Sequence, residues 1–184
     1  KIGEDPGLAD TTLRRNPTIC QGDSYGTDDF DPTEEWTDYP DRTYDGLGAH
    51  AEICNGNSLI ISEYVESTSH YNNLWTGNLE RRLIEIYNTS NYPISLEGYK
   101  IQIFTNGSST ATSTIDLTSN VFLDPEEVWV IGQYNYADIV EDQTNSNLNL
   151  DGNDVVALVR GSNEGANYED AECSNWATGP TGTD

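Results

Sequence analysis

The chain is built from short apolar or β-branched runs separated by turn residues, and that rhythm leaves few folds open to it. The runs are Leu59–Val65, Leu83–Tyr87, Tyr99–Phe104, Ser113–Leu117, Glu127–Gly132 and Asp154–Val159, with a weaker one at Thr11–Arg15. Asn, Gly, Pro, Ser or Asp bounds each, as expected for strands joined by turns. Alternation is visible in Ile84-Glu85-Ile86-Tyr87 and in Lys100-Ile101-Gln102-Ile103-Phe104. A period of two sends one side of a strand to the core and the other to water. Val155–Val159 is almost wholly apolar, as a central strand covered on both faces would be. Ser95–Gly98 and Leu123–Glu126 read as turns that open the next strand. Asp151-Gly152-Asn153 reads as a hairpin turn between Leu148–Leu150 and Val155–Val159, which makes Asp151 and Asp154 hairpin residues rather than ligands. Helical periodicity is hard to find. About seven short strands at this length predict an all-β, antiparallel two-sheet sandwich with almost no helix. Its expected buried residues are Ile61, Ile84, Ile86, Ile101, Ile103, Val130, Val156 and Leu158.

Charge narrows the partners. Eight basic residues against 32 acidic ones give a net charge of −24. Nucleic acid is excluded as a partner, because a phosphate backbone needs Lys and Arg to displace its counterions. Anionic membrane surfaces are disfavoured for the same reason, and no apolar run has the length of a membrane span, so membrane insertion is not expected. Such charge can also mean disorder, but the β-branched and aromatic runs from Ile60 to Arg160 argue against that reading. With no Met and no signal peptide, the chain reads as a mature product or an excised fragment of a protein destined for the cell surface or the extracellular medium.

Candidate sites are few. Asp23, Asp28, Asp29 and Asp31 crowd the loop Gln21–Pro32. Carboxylates at that density bind calcium when backbone carbonyls join them, although Asp also populates turns for backbone reasons. Glu63, Glu66 and Glu85 form a second acidic group on adjacent strand candidates and read as a solvated sheet face. The long stretch from His70 to Arg82 reads as a loop carrying Trp75 and the charged cluster Glu80-Arg81-Arg82. Cys20, Cys54 and Cys173 make an odd count, which outside the cell implies one disulfide and a free thiol, or a bond to another chain. Asn88 and Asn106 head sequons and are candidates for a glycan. His50 and His70 belong to no recognisable catalytic pattern, and no nucleophile elbow, phosphate loop or zinc-protease motif is present, so an enzyme is not expected.

From Leu59 to Leu158 the strand motifs resemble those of the lamin tail domain in its bacterial secreted form, an immunoglobulin-like fold. The resemblance rests on Leu59–Glu66, Leu83–Asn88, Ile94–Tyr99, Leu123–Ile131 and Leu148–Leu158, in that order, with the stretch 70–82 as an insertion. It also covers Thr12-Leu13-Arg14-Arg15, Gly22-Asp23, Phe30–Trp36 and Gly46–His50, but these pieces belong at the end of the family's pattern and stand here at the beginning. The resemblance thus divides the chain into a C-terminal-type segment, 1–50, and a main sandwich body, 53–184. Three arrangements fit that order. The domain is circularly permuted and closes on itself, the chain is one cut from a tandem array, or Thr11, Thr12, Leu13, Arg14 and Arg15 are donated as a strand to a neighbouring copy. A body without its last strand exposes a sheet edge, and such an edge invites pairing with another chain. Since the first and last strands of a simple immunoglobulin-like sandwich tend to leave at opposite ends, donation or a tandem array is favoured over self-closure. The functional expectation is a non-enzymatic extracellular structural unit whose partners are copies of itself. The alternative is an accessory binding module of a larger secreted nuclease or hydrolase, as domains of this kind often flank such enzymes.

Overall fold

The structure, a computed structural model, describes residues 12–19, 32–40, 42–50, 59–67, 81–150, 154–160 and 173–177. The N-terminal part supplies β1 (Thr12–Arg15), the single-turn helix α1 (Pro32–Glu35) and β2 (Trp36–Tyr39). The body supplies β3 (Leu59–Ser67), β4 (Arg81–Asn88), β5 (Ile94–Ser95), β6 (Tyr99–Phe104), β7 (Ser113–Asp116), β8 (Phe122–Leu123), β9 (Val128–Gly132), β10 (Gln143–Thr144), β11 (Val155–Arg160) and β12 (Cys173–Ala177), with one 3-10 turn at Thr105–Gly107. A six-stranded sheet in the order β10-β9-β4-β3-β1-β2 faces a four-stranded sheet in the order β12-β11-β6-β7, and β5 pairs with β8 beside them. Every pairing is antiparallel except β10 with β9. This is the two-sheet sandwich that the turn spacing and alternation predict, in the immunoglobulin-like form that the resemblance implies.

The core lies between the sheets. Leu59, Ile61, Ile84, Ile86 and Ile131 come from one side, and Ile101, Ile103, Ile115, Val156 and Leu158 from the other. All eight residues expected to be buried are so, none more than 2% exposed. Val130, however, belongs to a separate cluster with Val65, Leu83 and Tyr136. The apolar run of β11 is explained by its place: β6 and β12 flank it, and Phe104, Val155, Ala157 and Val159 form a second buried cluster.

Two expectations need correction. Leu148–Leu150 is not a strand paired with β11. The Leu148 amide closes a turn on the Asn145 carbonyl (3.0 Å), the Leu150 carbonyl accepts from Arg82 Nε, and both leucines fill the core outside any ladder. The loop expected to run to Arg82 ends earlier, because β4 begins at Arg81, whereas His70 and Trp75 lie outside the described residues. Within this chain β1 lies between β2 and β3, with Thr12 opposite Val65, Leu13 opposite Tyr64 and Arg14 opposite Glu63. The segment continues through β2 and residues 42–50, which lie against the body.

Candidate functional site

The place where the N-terminal segment meets the body holds most of the buried charge among the described residues. It is built on a β-bulge. Ile61 pairs with Ile86 and Glu63 with Glu85, so Ser62 is the extra residue. A bulge sets two residues against one on the partner strand, and here both serve Glu85. Ser62 Oγ donates to Glu85 Oε1 at 2.7 Å, and Glu63 stands directly across. Glu63, Glu66 and Glu85 are 2%, 5% and 1% exposed, so the acidic group read as a solvated face is buried.

A strap formed by Tyr44–His50 explains that burial. Asp45 pairs with Arg14 Nη2, while Arg14 Nε lies 3.2 Å from Glu63 Oε2. The backbone of Gly46 passes so close to this pair that a Cβ there would stand 2.4 Å from the Arg14 guanidinium and 2.7 Å from Glu63 Oε2. Leu47 and Tyr44 pack on the cluster of Val65, Leu83, Val130 and Tyr136. Gly48, at φ +92°, turns its amide onto Glu85 Oε2 at 2.6 Å, a conformation that glycine adopts without steric cost. His50 sets its ring edge-on to Tyr87, with centroids 4.9 Å apart. The Gly-Leu-Gly-x-His spacing is thus a series of contacts: a close approach, an apolar plug, a left-handed amide donor and a ring.

β1 is fastened as firmly. Arg15, 1% exposed, donates to the Ile61 carbonyl at 2.8 Å and to Glu35 Oε2 at 2.7 Å. Its guanidinium lies 4.4 Å from the centre of the Trp36 ring. Trp36 itself is a core residue, which shows why the Phe-Asp-Pro-x-x-Glu-Trp segment carries an acid next to its tryptophan. On the far side Arg81 spans strap and body, with Tyr44 at 4.6 Å and Tyr136 at 5.4 Å from its guanidinium and Asp138 at 2.7 Å. Arg82 turns inward to Gln133 Oε1 (2.9 Å) and the Leu150 carbonyl.

The electrostatics follow from the burial. Burial pushes the Glu63 carboxyl up to about 7, Arg14 pulls it back, and the neighbouring Glu85 raises it further. Burial also raises Glu85, against the opposing pull of Ser62 and the Gly48 amide. Burial, with Arg15 nearby, drives His50 down to about 4. Asp45, exposed, is held low by its hydrogen bond to Arg14. Glu63 Oε1 and His50 Nε2 are buried without a hydrogen-bond partner among the described residues.

The other sites expected from sequence fall elsewhere. Asn88, one of the two glycan candidates, has a buried side chain in the folded chain. It is 0% exposed, its amide donates to the Tyr92 and Leu123 carbonyls at 3.0 and 2.8 Å, and its Oδ1 accepts from Ser90. The sequon there is a folded turn. Asn106 is exposed in the turn after β6, where the buried Asp154 accepts its backbone amide at 3.2 Å. Asp154 therefore anchors that turn rather than a hairpin with Leu148–Leu150. Asp23, Asp28, Asp29, Asp31, Thr11, Cys20 and Cys54 lie outside the described residues, and Cys173 is described only as the backbone that opens β12. Among the described residues no group of three or more His, Cys, Asp or Glu is placed to hold a metal ion.

The acidic pair was visible in sequence only as alternation. What could have revealed its burial is the Gly-Leu-Gly-x-His motif itself, since closely spaced glycines mark a backbone that must approach something. No curated protein matches the chain. Residues 54–170 match the family described as Lamin Tail Domain, and that match covers more than half of the sequence: the chain belongs to the lamin tail domain family, a family of non-catalytic immunoglobulin-like modules.

Proposed function

We propose that the chain is a non-enzymatic structural module of an extracellular or cell-surface array built from copies of itself. One observation carries this reading. A segment that resembles the closing part of a lamin tail domain stands ahead of the body in sequence and pairs with it from Thr12 against Val65 to Arg14 against Glu63. The seat depends on side chains rather than on chain order. Closing segments and bodies are therefore interchangeable parts, and a protein that repeats them can be completed at every joint. The charge of −24 supports a surface facing salt or divalent cations, and exposed Asn106 supports a glycan there. Calcium at Asp23, Asp28, Asp29 and Asp31 belongs to the same proposal, supported by the density of acids in that loop. A metal bound only by the folded state raises stability by mass action. Excess chelator should therefore lower the melting temperature of the full chain, and an unchanged value would remove calcium from the proposal.

Electron microscopy of the native material tests the main reading. The expected image is a filament or lattice with a regular repeat of one sandwich. Isolated particles in which a single sandwich flanks a larger globular enzyme would overturn it.

A further inference from the structure

We propose that the strap Tyr44–His50 is a protonation-controlled latch, closed over Glu63 and Glu85 while these hold a proton between them and loosened as both ionise. The geometry is a closed box. Glu63 and Glu85 face each other across the β3–β4 bulge. Arg14 of β1 reaches Glu63, and Tyr39 of β2 lies 4.3 Å from the Arg14 guanidinium. Asp45 and His50 approach from the strap. Asp142, beside β9, faces Glu85, and Arg15 faces His50. A single guanidinium thus serves two buried carboxylates, and Glu63 Oε1 has no hydrogen-bond partner among the described residues. With both acids ionised, the box holds an excess of negative charge out of water, and a buried charge without full compensation is costly.

The direction with pH follows by linkage. In the closed state Glu63 titrates at about 7 rather than at its ordinary 4.5. Between those values the closed form keeps a proton that the open form has released. Opening therefore becomes easier by up to about tenfold per pH unit across that window, and levels off above it. Glu85 is shifted in the same direction. His50 works against them. It is held at about 4 rather than 6.5, so as pH falls through that window opening gains a proton at the imidazole. Asp45, held low by Arg14, loosens the strap only at the acid extreme. The shifts of Glu63 and His50 oppose each other below about pH 6.5, so the latch opens as pH rises mainly toward pH 7, where His50 no longer gains a proton on opening. Opening uncovers the apolar patch of Val65, Leu83 and Val130 beneath Leu47.

Hydrogen exchange of the Gly48 amide in the full chain reads the latch, because that amide is bonded to Glu85. After correction for intrinsic exchange, the opening constant should rise by about twofold or more from pH 5 to pH 8 in the full chain, and by about tenfold or more once His50 is replaced. Glu63→Gln should remove at least half of that rise, and His50→Gln should steepen it. The Ile101 amide, in a central strand of the other sheet, should not follow. An opening constant flat with pH, one that rises only toward acid, or one that tracks Ile101 through global unfolding would overturn the proposal.

Discussion

The six-stranded sheet buries its two faces by different means. Its inner face presents Leu59, Ile61, Ile84, Ile86 and Ile131 to the aliphatic side chains of the opposite sheet. Its outer face presents Glu63, Glu85 and Arg14 to a strap from a segment placed ahead of the body. Burial of the inner face is non-directional and follows apolar area. Burial of the outer face depends on an Arg at one register position, a glycine at one close approach and an amide at one left-handed turn. The first tolerates repacking, and the second fails when any one contact is lost. The inner face makes the fold, and the outer face decides whether the N-terminal segment belongs to it.

Substitutions on the two faces should therefore behave differently. The largest loss is expected from Arg15→Ala, which removes the hydrogen bonds to Glu35 and to the Ile61 carbonyl and the contact with the Trp36 ring. Breaking a buried pair in this way costs about 3–5 kcal/mol, read as a fall in the urea midpoint. Ile84→Ala on the inner face should cost about 2–5 kcal/mol but leave Gly48 protection lowered only in step with global stability. Asn88→Ala comes next. The Leu123 carbonyl loses the Asn88 amide, the Tyr92 carbonyl loses one of its donors and the Ser90 turn loses its acceptor, for about 1–3 kcal/mol, and a glycosylating host should modify Asn106 alone of these two sequons. Gly46→Ala drives a methyl into the Arg14–Glu63 pair and should cost about 1–3 kcal/mol, with the strap amides losing protection before those of β6. Gly48→Ala, strained by its positive φ, should cost the least, about 1 kcal/mol, and would blur the comparison if it destabilised both faces equally.

The two faces also differ in how well sequence announces them. Ile84-Glu85-Ile86 shows which side goes to the core, because alternation is a local property. The same alternation suggested that Glu85 faces water. Nothing near Glu85 in sequence says that residues 44–50 will lie over it, and the Ser62 bulge that brings Glu63 to its side leaves no mark in hydrophobic pattern. Arg81 and Arg82 were assigned to a loop for a related reason: charged residues at a strand start look like solvent-facing ones until partners such as Asp138, Gln133 and the Leu150 carbonyl are in place. The order of the family-like pieces was legible at once, but whether they close on one chain is a long-range property, set by the fit of Arg14, Arg15 and Leu47 to the body.

Closure within one chain is the central claim, and an isotope-filtered NMR experiment addresses it directly. Equal amounts of carbon-13-labelled and unlabelled full-length chain are unfolded together, refolded and concentrated. The account predicts that contacts from Leu47 to the methyl groups of Val65, Leu83 and Val130 arise only within labelled chains. Cross-peaks between labelled and unlabelled chains at those methyls would show the strap seated on another copy and would contradict it.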